Sequence, residues 1–89
     1  MKINLNKIHR VHCIGIGGIG VSAIARMLHA QGKKVTGSDA SPSPVTDMLK
    51  KLGIRVVFGH AAKNVGRADL VVYTKAVSPG NPELRAARR

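Results

Sequence analysis

The chain has 89 residues and a mass of 9.4 kDa, room for one small domain and no more. Its 15 lysines and arginines against 4 acidic residues give a formal charge of +11, yet 44% hydrophobic residues and a mean hydropathy of +0.01 exclude a disordered basic tail. A single cysteine excludes an internal disulfide, no apolar run approaches the roughly 18 residues of a membrane span, and no signal-peptide core is present, so the expected setting is the cytoplasm.

In chain order, residues 9 to 16 form a β-branched run that ends in glycines and predicts a first strand. Gly17-Gly18-Ile19-Gly20 then opens a helical pattern. Ile19, Ala23, Ile24, Met27 and Leu28 recur at helical spacing, and Gly32 supplies a stop. A brief second strand over Lys34 to Gly37 runs into Ser38-Asp39. After the Ser/Pro loop from Ala40, Ser43 is an expected N-cap with Pro44 at the first helical position, where its missing N–H costs nothing. That helix carries Val45, Met48, Leu49 and Leu52 and stops at Gly53. The methionines and leucines at helical spacing are expected in the core. Ile54 to Phe58 predicts a third strand, Ala61 to Gly66 a turn or short helix, and Leu70 to Thr74 a fourth strand. Asn81 caps a last helix, with Pro82 at its first position and Glu83 in its first turn. Strand and helix alternate with short connections, which predicts a Rossmann-like, doubly wound α/β sheet of mainly parallel strands flanked by helices. The last helix has barely begun at Arg89, so the chain is expected to be truncated at its C-terminal end relative to a longer protein.

The charge invites a nucleic-acid reading, and its distribution argues against one. Lys2, Lys7 and Arg10 sit in the first ten residues and Arg85, Arg88 and Arg89 in the last five. The only aromatic residues are Phe58 and Tyr73, which leaves no set of rings on which bases could stack. No nucleic-acid partner is expected.

Gly15-Ile16-Gly17-Gly18-Ile19-Gly20 matches G-x-G-x-x-G between a strand and a helix, the setting that gives the pattern mechanical meaning. The first glycine permits the tight turn, the second lets backbone approach a phosphate, and the third is expected to let the helix pack closely on the strand. Unpaired N–H groups at the helix start then hold the anion. Asp39 lies nineteen residues beyond Gly20. It can accept hydrogen bonds from ribose hydroxyls, as the acid about 20 positions on does in dinucleotide-binding domains, or it can cap the loop before Pro42. Cys13 reads as a buried, inert thiol. His9 and His12 fall on opposite faces of a strand, which disfavours a metal pair, and His29 reads as solvated. No metal site is expected.

Val11 to Ser22 (V-H-C-I-G-I-G-G-I-G-V-S), Gly37-Ser38-Asp39, Pro44-Val45-Thr46, Leu52-Gly53-Ile54, Gly59-His60, Tyr73 to Val77 and Asn81-Pro82-Glu83-Leu84 occur in this order. Together they resemble the N-terminal domain of the Mur ligase family, over residues 1–89. The family's tripeptide-recycling branch usually carries cysteine and phenylalanine where this chain has Gly17 and Ile19, so the resemblance leans to the alanine-adding branch. It implies a site for UDP-N-acetylmuramate in place of a dinucleotide. The diphosphate would lie on Gly15, Ile16, Gly17, Gly18, Ile19 and Gly20, with Ser22 as a further donor. Ser38 and Asp39 would meet the uridine and His60 the uracil, while Thr74, Lys75, Ala76, Val77 and Ser78 would face the diphosphate and sugar from the other side. Lys75 reads equally well as a solvated surface lysine.

The whole ligase implied would use ATP and magnesium to activate the muramyl carboxylate, which the amine of L-alanine then attacks, a step of peptidoglycan biosynthesis for the growing and dividing cell wall. The Walker loop, magnesium ligands and carbamylated lysine of the family's central domain, and its C-terminal domain, are absent from these residues, and Val21 replaces a common methionine. The chain alone is therefore expected to lack catalytic residues, cofactors and ligase activity, and to have no membrane partner. Two rivals share the glycine loop: the NAD-binding domain of a dehydrogenase, and a non-enzymatic nucleotide-sensing regulatory domain.

Overall fold

The computed structural model describes residues 4–88, so the basic residues Lys2 and Arg89 lie outside the described residues. After a 3-10 turn at Leu5–Lys7, which the sequence reading had not anticipated, come β1 (Arg10–Ile14), α1 (Ile19–Ala30), β2 (Lys34–Asp39), α2 (Pro44–Lys51) and β3 (Arg55–Phe58). A second 3-10 turn, Ala62–Asn64, then leads to β4 (Leu70–Val72) and α3 (Pro82–Ala87). The four strands form one parallel sheet in the order β3-β2-β1-β4, the expected α/β class.

Backbone geometry sets the differences from the predicted boundaries. β1 stops at Ile14, two residues early, because Gly15 takes a φ of +74° and turns the chain out of the ladder. β4 ends at Val72, paired with Cys13, two residues short of its predicted end at Thr74. β2 runs two residues past its predicted end because Ser38 pairs with Ile14 and Val57, and Asp39 with Phe58. At the opposite end of the sheet, Asp69 Oδ2 accepts from the N–H groups of His9 and Arg10 at 2.9 and 3.0 Å, pinning the start of β4 to the entry of β1. Those two backbone bonds hold the Asp69 carboxyl below its ordinary value.

The two faces of the sheet differ in chemistry. On one, Val11 and Cys13 of β1, Val35 of β2 and Val56 of β3 pack with Val21, Ala25 and Leu28 of α1 and Leu49 of α2. Cys13 is fully buried there, and burial pushes its thiol up to about 12, which keeps it inert as expected. On the other, His12 and Ser38 bond the α3 residue Glu83, and Thr36 backs His12 through its ring Nδ1.

Of the α1 residues picked out by helical spacing, Leu28 is core as expected, but Met27 is not, and the rest of that stripe faces outward. Ile19, Ile24 and Met27 are exposed (90%, 40% and 49%), and so is Ala23, while Val21, Ser22, Ala25 and Leu28 are buried. The helix carries apolar residues on two adjacent stripes, and the sheet takes only one. Leu52, at the C-cap of α2, is also exposed rather than core. Met48 and Val45 pack against the core's rim and Leu28 and Leu49 lie within it, as expected. His29 is half-buried rather than fully solvated.

Candidate functional site

Strand order reverses at β1: β2 and β3 lie on one side of it and β4 on the other. In open α/β sheets the crevice outside the carboxyl ends of the strands at such a switch point receives ligands. Here it is a cavity of about 670 Å³, walled by the glycine loop, the end of β2, His60 and the segment after β4.

The loop begins with the turn at Gly15 and then buries Ile16 completely. Ile16 sits against Gly37 of β2, where a Cβ would fall 2.3 Å from the isoleucine Cδ1, so only glycine fits at 37. That is the close-packing glycine of this fold, a role the sequence pattern assigned to Gly20. A Cβ on Gly20 would meet no protein atom within 4 Å. Gly20 instead lines the cavity, its missing side chain leaving room for something outside the protein.

The start of α1 is the polar feature of the cavity. Its N-cap is Gly18, with no side-chain capping bond, and the first intrahelical bond runs from Ser22 N to Gly18 O. The N–H groups of Ile19, Gly20 and Val21 therefore have no acceptor within the helix. By contrast, Ser43 caps α2 through a capping box and Asn81 accepts from Glu83 N and Leu84 N at the start of α3. Three free donors and the positive end of a twelve-residue helix face the cavity, which suits an anion. Among the described residues no lysine or arginine lines it, so their positive charge acts on a ligand here at a distance rather than by contact.

Among the described residues, Asp39 is the one side-chain carboxylate at the cavity wall. Its Oδ2 accepts from Gly17 N and its Oδ1 from Ala40 N, both at 2.8 Å, so it ties β2 to the glycine loop and caps the loop that follows. A carboxylate offers about four lone-pair sites, and two remain for hydroxyl donors from the cavity. The two roles weighed for Asp39 are thus compatible in one side chain.

Of the fifteen residues predicted at the site, eleven line this cavity: Gly15, Gly17, Gly18, Ile19, Gly20, Asp39, His60, Thr74, Ala76, Val77 and Ser78. Four do not. Ile16 is core, and Lys75 is exposed outside the lining. Ser22 is buried with its hydroxyl donating to Ile19 O, a spent donor. Ser38 is fully buried, its hydroxyl donating to Glu83 Oε1 at 2.6 Å. Ser41, Ser43 and Asn81 line the cavity without having been predicted there; only their loop positions beside the strand ends signalled it.

The residue that sequence reasoning undervalued is Glu83. It is fully buried and its carboxylate gathers five donors. Oε1 accepts from His12 Nε2 at 2.5 Å and Ser38 Oγ at 2.6 Å. Oε2 accepts from Ala61 N at 3.1 Å, Asn64 Nδ2 at 3.0 Å and His60 Nδ1 at 3.3 Å. Burial by itself would raise this carboxyl; the bonds from Ser38, Asn64 and His12 outweigh it and hold the group below its ordinary value. His12 and Glu83 are 71 positions apart, and no local pattern signals the pairing.

An ATP–magnesium role does not fit these residues. The glycine loop continues into Val21 and Ser22 rather than Lys and a free hydroxyl, and Ser22 is already bonded to Ile19 O.

Comparison with known proteins places residues 10–89 in a match to the model described as Mur ligase family, catalytic domain. The UDP-N-acetylmuramate–L-alanine ligase of Coxiella burnetii is 46% identical over all 89 residues, which make up 19% of that protein. The chain thus spans about a fifth of the length of the curated relative it matches end to end. Among solved structures, the UDP-N-acetylmuramate-alanine ligase of Thermotoga maritima superposes with a TM-score of 0.84 at 43% identity, covering 89% of this chain and 18% of that one. A murein peptide ligase of Psychrobacter arcticus superposes with a TM-score of 0.75 at 31% identity, covering 81% of this chain and 15% of that one.

Proposed function

The chain belongs to the Mur ligase family, and from that membership we propose that it is the UDP-N-acetylmuramate-binding N-terminal domain of an alanine-adding ligase. The observation that carries this reading is the switch-point cavity. Uncapped N–H donors of α1 suit the diphosphate, Asp39 suits ribose hydroxyls, and the Thr74–Ser78 segment closes the sugar side. The higher identity to alanine ligases than to the murein peptide ligase supports L-alanine as the amino acid joined. The dehydrogenase and nucleotide-sensing readings draw no support from these relatives.

In the whole ligase, ATP would activate the muramyl carboxylate, and these residues would hold the nucleotide handle. Holding a remote part of a substrate contributes positioning and binding energy rather than chemical groups. On this reading the site works in the cytoplasm, within peptidoglycan synthesis for the cell wall, and the 89 residues alone have no ligase or ATPase activity.

Calorimetric titration with UDP, UDP-N-acetylmuramate and NADH tests the reading. The uridine ligands are expected to bind and NADH to bind more weakly; tighter binding of NADH than of either uridine ligand would sink it.

A further inference from the structure

Two histidines share the buried Glu83 carboxylate, and the hydrogen-bond directions around it determine which ring nitrogen of each carries a proton. Glu83, held ionised, is acceptor-only. His12 Nε2, 2.5 Å from Oε1, must therefore be the donor. Ser38 spends its one hydroxyl hydrogen on Oε1, so its oxygen can only accept from His60 Nδ1, 3.0 Å away. The same Nδ1 lies 3.3 Å from Glu83 Oε2. Both partners of His60 Nδ1 are acceptors, which assigns the hydrogen to Nδ1. In the neutral ring the lone pair is then left on Nε2.

Nε2 of His60 has no partner among the described residues, and no buried side-chain nitrogen or oxygen there lacks one, so Nε2 reaches the exposed part of the ring. A quarter of the side chain is open, and the residue lines the switch-point cavity. We propose that Glu83 is a positioning residue: it locks His60 in the Nδ1–H tautomer, so that the cavity presents a hydrogen-bond acceptor at Nε2. The wall there selects a ligand group that donates an N–H, such as the imide of a pyrimidine base, and not one that only accepts. This deepens the uridine reading of the cavity and rests on it for the ligand. The tautomer assignment rests on the hydrogen-bond geometry around an ionised Glu83 and not on the identity of the ligand.

The lock also couples α3 to the cavity. From α3, Glu83 reaches β1, β2 and the 59–64 segment together, through His12, Ser38, Ala61 and Asn64. A side chain merely filling space would not fix a proton position.

Nitrogen-15 NMR of the full chain reads the tautomer of His60 directly, and titration with UDP and with inorganic pyrophosphate reads its use. In the wild type, Nδ1 is expected to be protonated and Nε2 bare. Glu83→Gln is expected to give mixed tautomers and to weaken UDP about tenfold, the scale of one hydrogen bond, while pyrophosphate affinity stays unchanged. Ser38→Ala is expected to keep the Nδ1–H tautomer, because Glu83 Oε2 still accepts from it, and this variant decides the matter if the glutamine variant does not fold. A wild-type His60 protonated on Nε2, loss of the tautomer in Ser38→Ala, or equal weakening of UDP and pyrophosphate in Glu83→Gln overturns the proposal. If UDP fails to bind the wild type while Nδ1 is protonated, the uridine reading fails and the tautomer lock stands.

Discussion

The two faces of the sheet hold their helices by different physics. Under α1 and α2 the contacts are apolar: Val11, Cys13, Val35 and Val56 against Val21, Ala25, Leu28 and Leu49. Such a surface is non-directional and tolerates repacking. Under α3 it is a closed set of hydrogen bonds around one carboxylate, directional and intolerant of a missing partner. The difference teaches where specificity sits. The apolar face fixes that the sheet is covered, whereas the polar face fixes which atoms line up at the cavity wall.

The largest effect should come from breaking the polar face. Glu83→Leu removes the acceptor of five donors and is expected to cost about 4 kcal/mol in urea unfolding, the scale of breaking a buried pair. A cost below about 1 kcal/mol would reduce the network to decoration. Its pH signature follows from the lowered carboxyl. Stability from Glu83 is complete above its ordinary value of 4.5 and is lost as pH falls through the lower folded value. The exposed Asp69 carboxyl, also lowered, adds a loss of the same sign at acid pH. Urea midpoints taken from pH 6 downward should therefore fall in the wild type and fall less steeply in Glu83→Gln.

On the apolar face, Leu49→Ala leaves a cavity beneath α2 and should cost about 3 kcal/mol, with no change in the His60 tautomer. Gly20→Ala separates stability from binding. Its Cβ meets no protein atom, so the helix should gain up to about 1 kcal/mol while UDP affinity drops about tenfold. Unchanged affinity there would show that the ligand does not approach the start of α1. The smallest effect belongs to the exposed stripe of α1. Met27→Gln should change stability by no more than about 0.5 kcal/mol by thermal melting, against the 2 kcal/mol or more expected of a core methionine.

Local chemistry was legible from the sequence. Gly15 had to turn the chain, Ser43 and Asn81 had to cap, and alternating strands and helices had to build a parallel sheet, because each depends on residues within a few positions. The glycine loop and Asp39 likewise pointed to one edge of the sheet, and the cavity lies there. Periodicity could not choose between two apolar stripes on α1, since spacing defines a stripe but not which one meets the sheet. Nor could it show that Ser38 faces away from the cavity, that Ile16 occupies the space at Gly37, or that Glu83 draws together His12, Ser38 and His60. Those are contacts between distant parts of the chain, selected only when the strands pair in register. The sequence by itself determined the elements and the anion-ready loop. Tertiary structure alone decided which side chains that loop is backed by, because burial makes an unpaired polar group costly and so forces partners together across the fold.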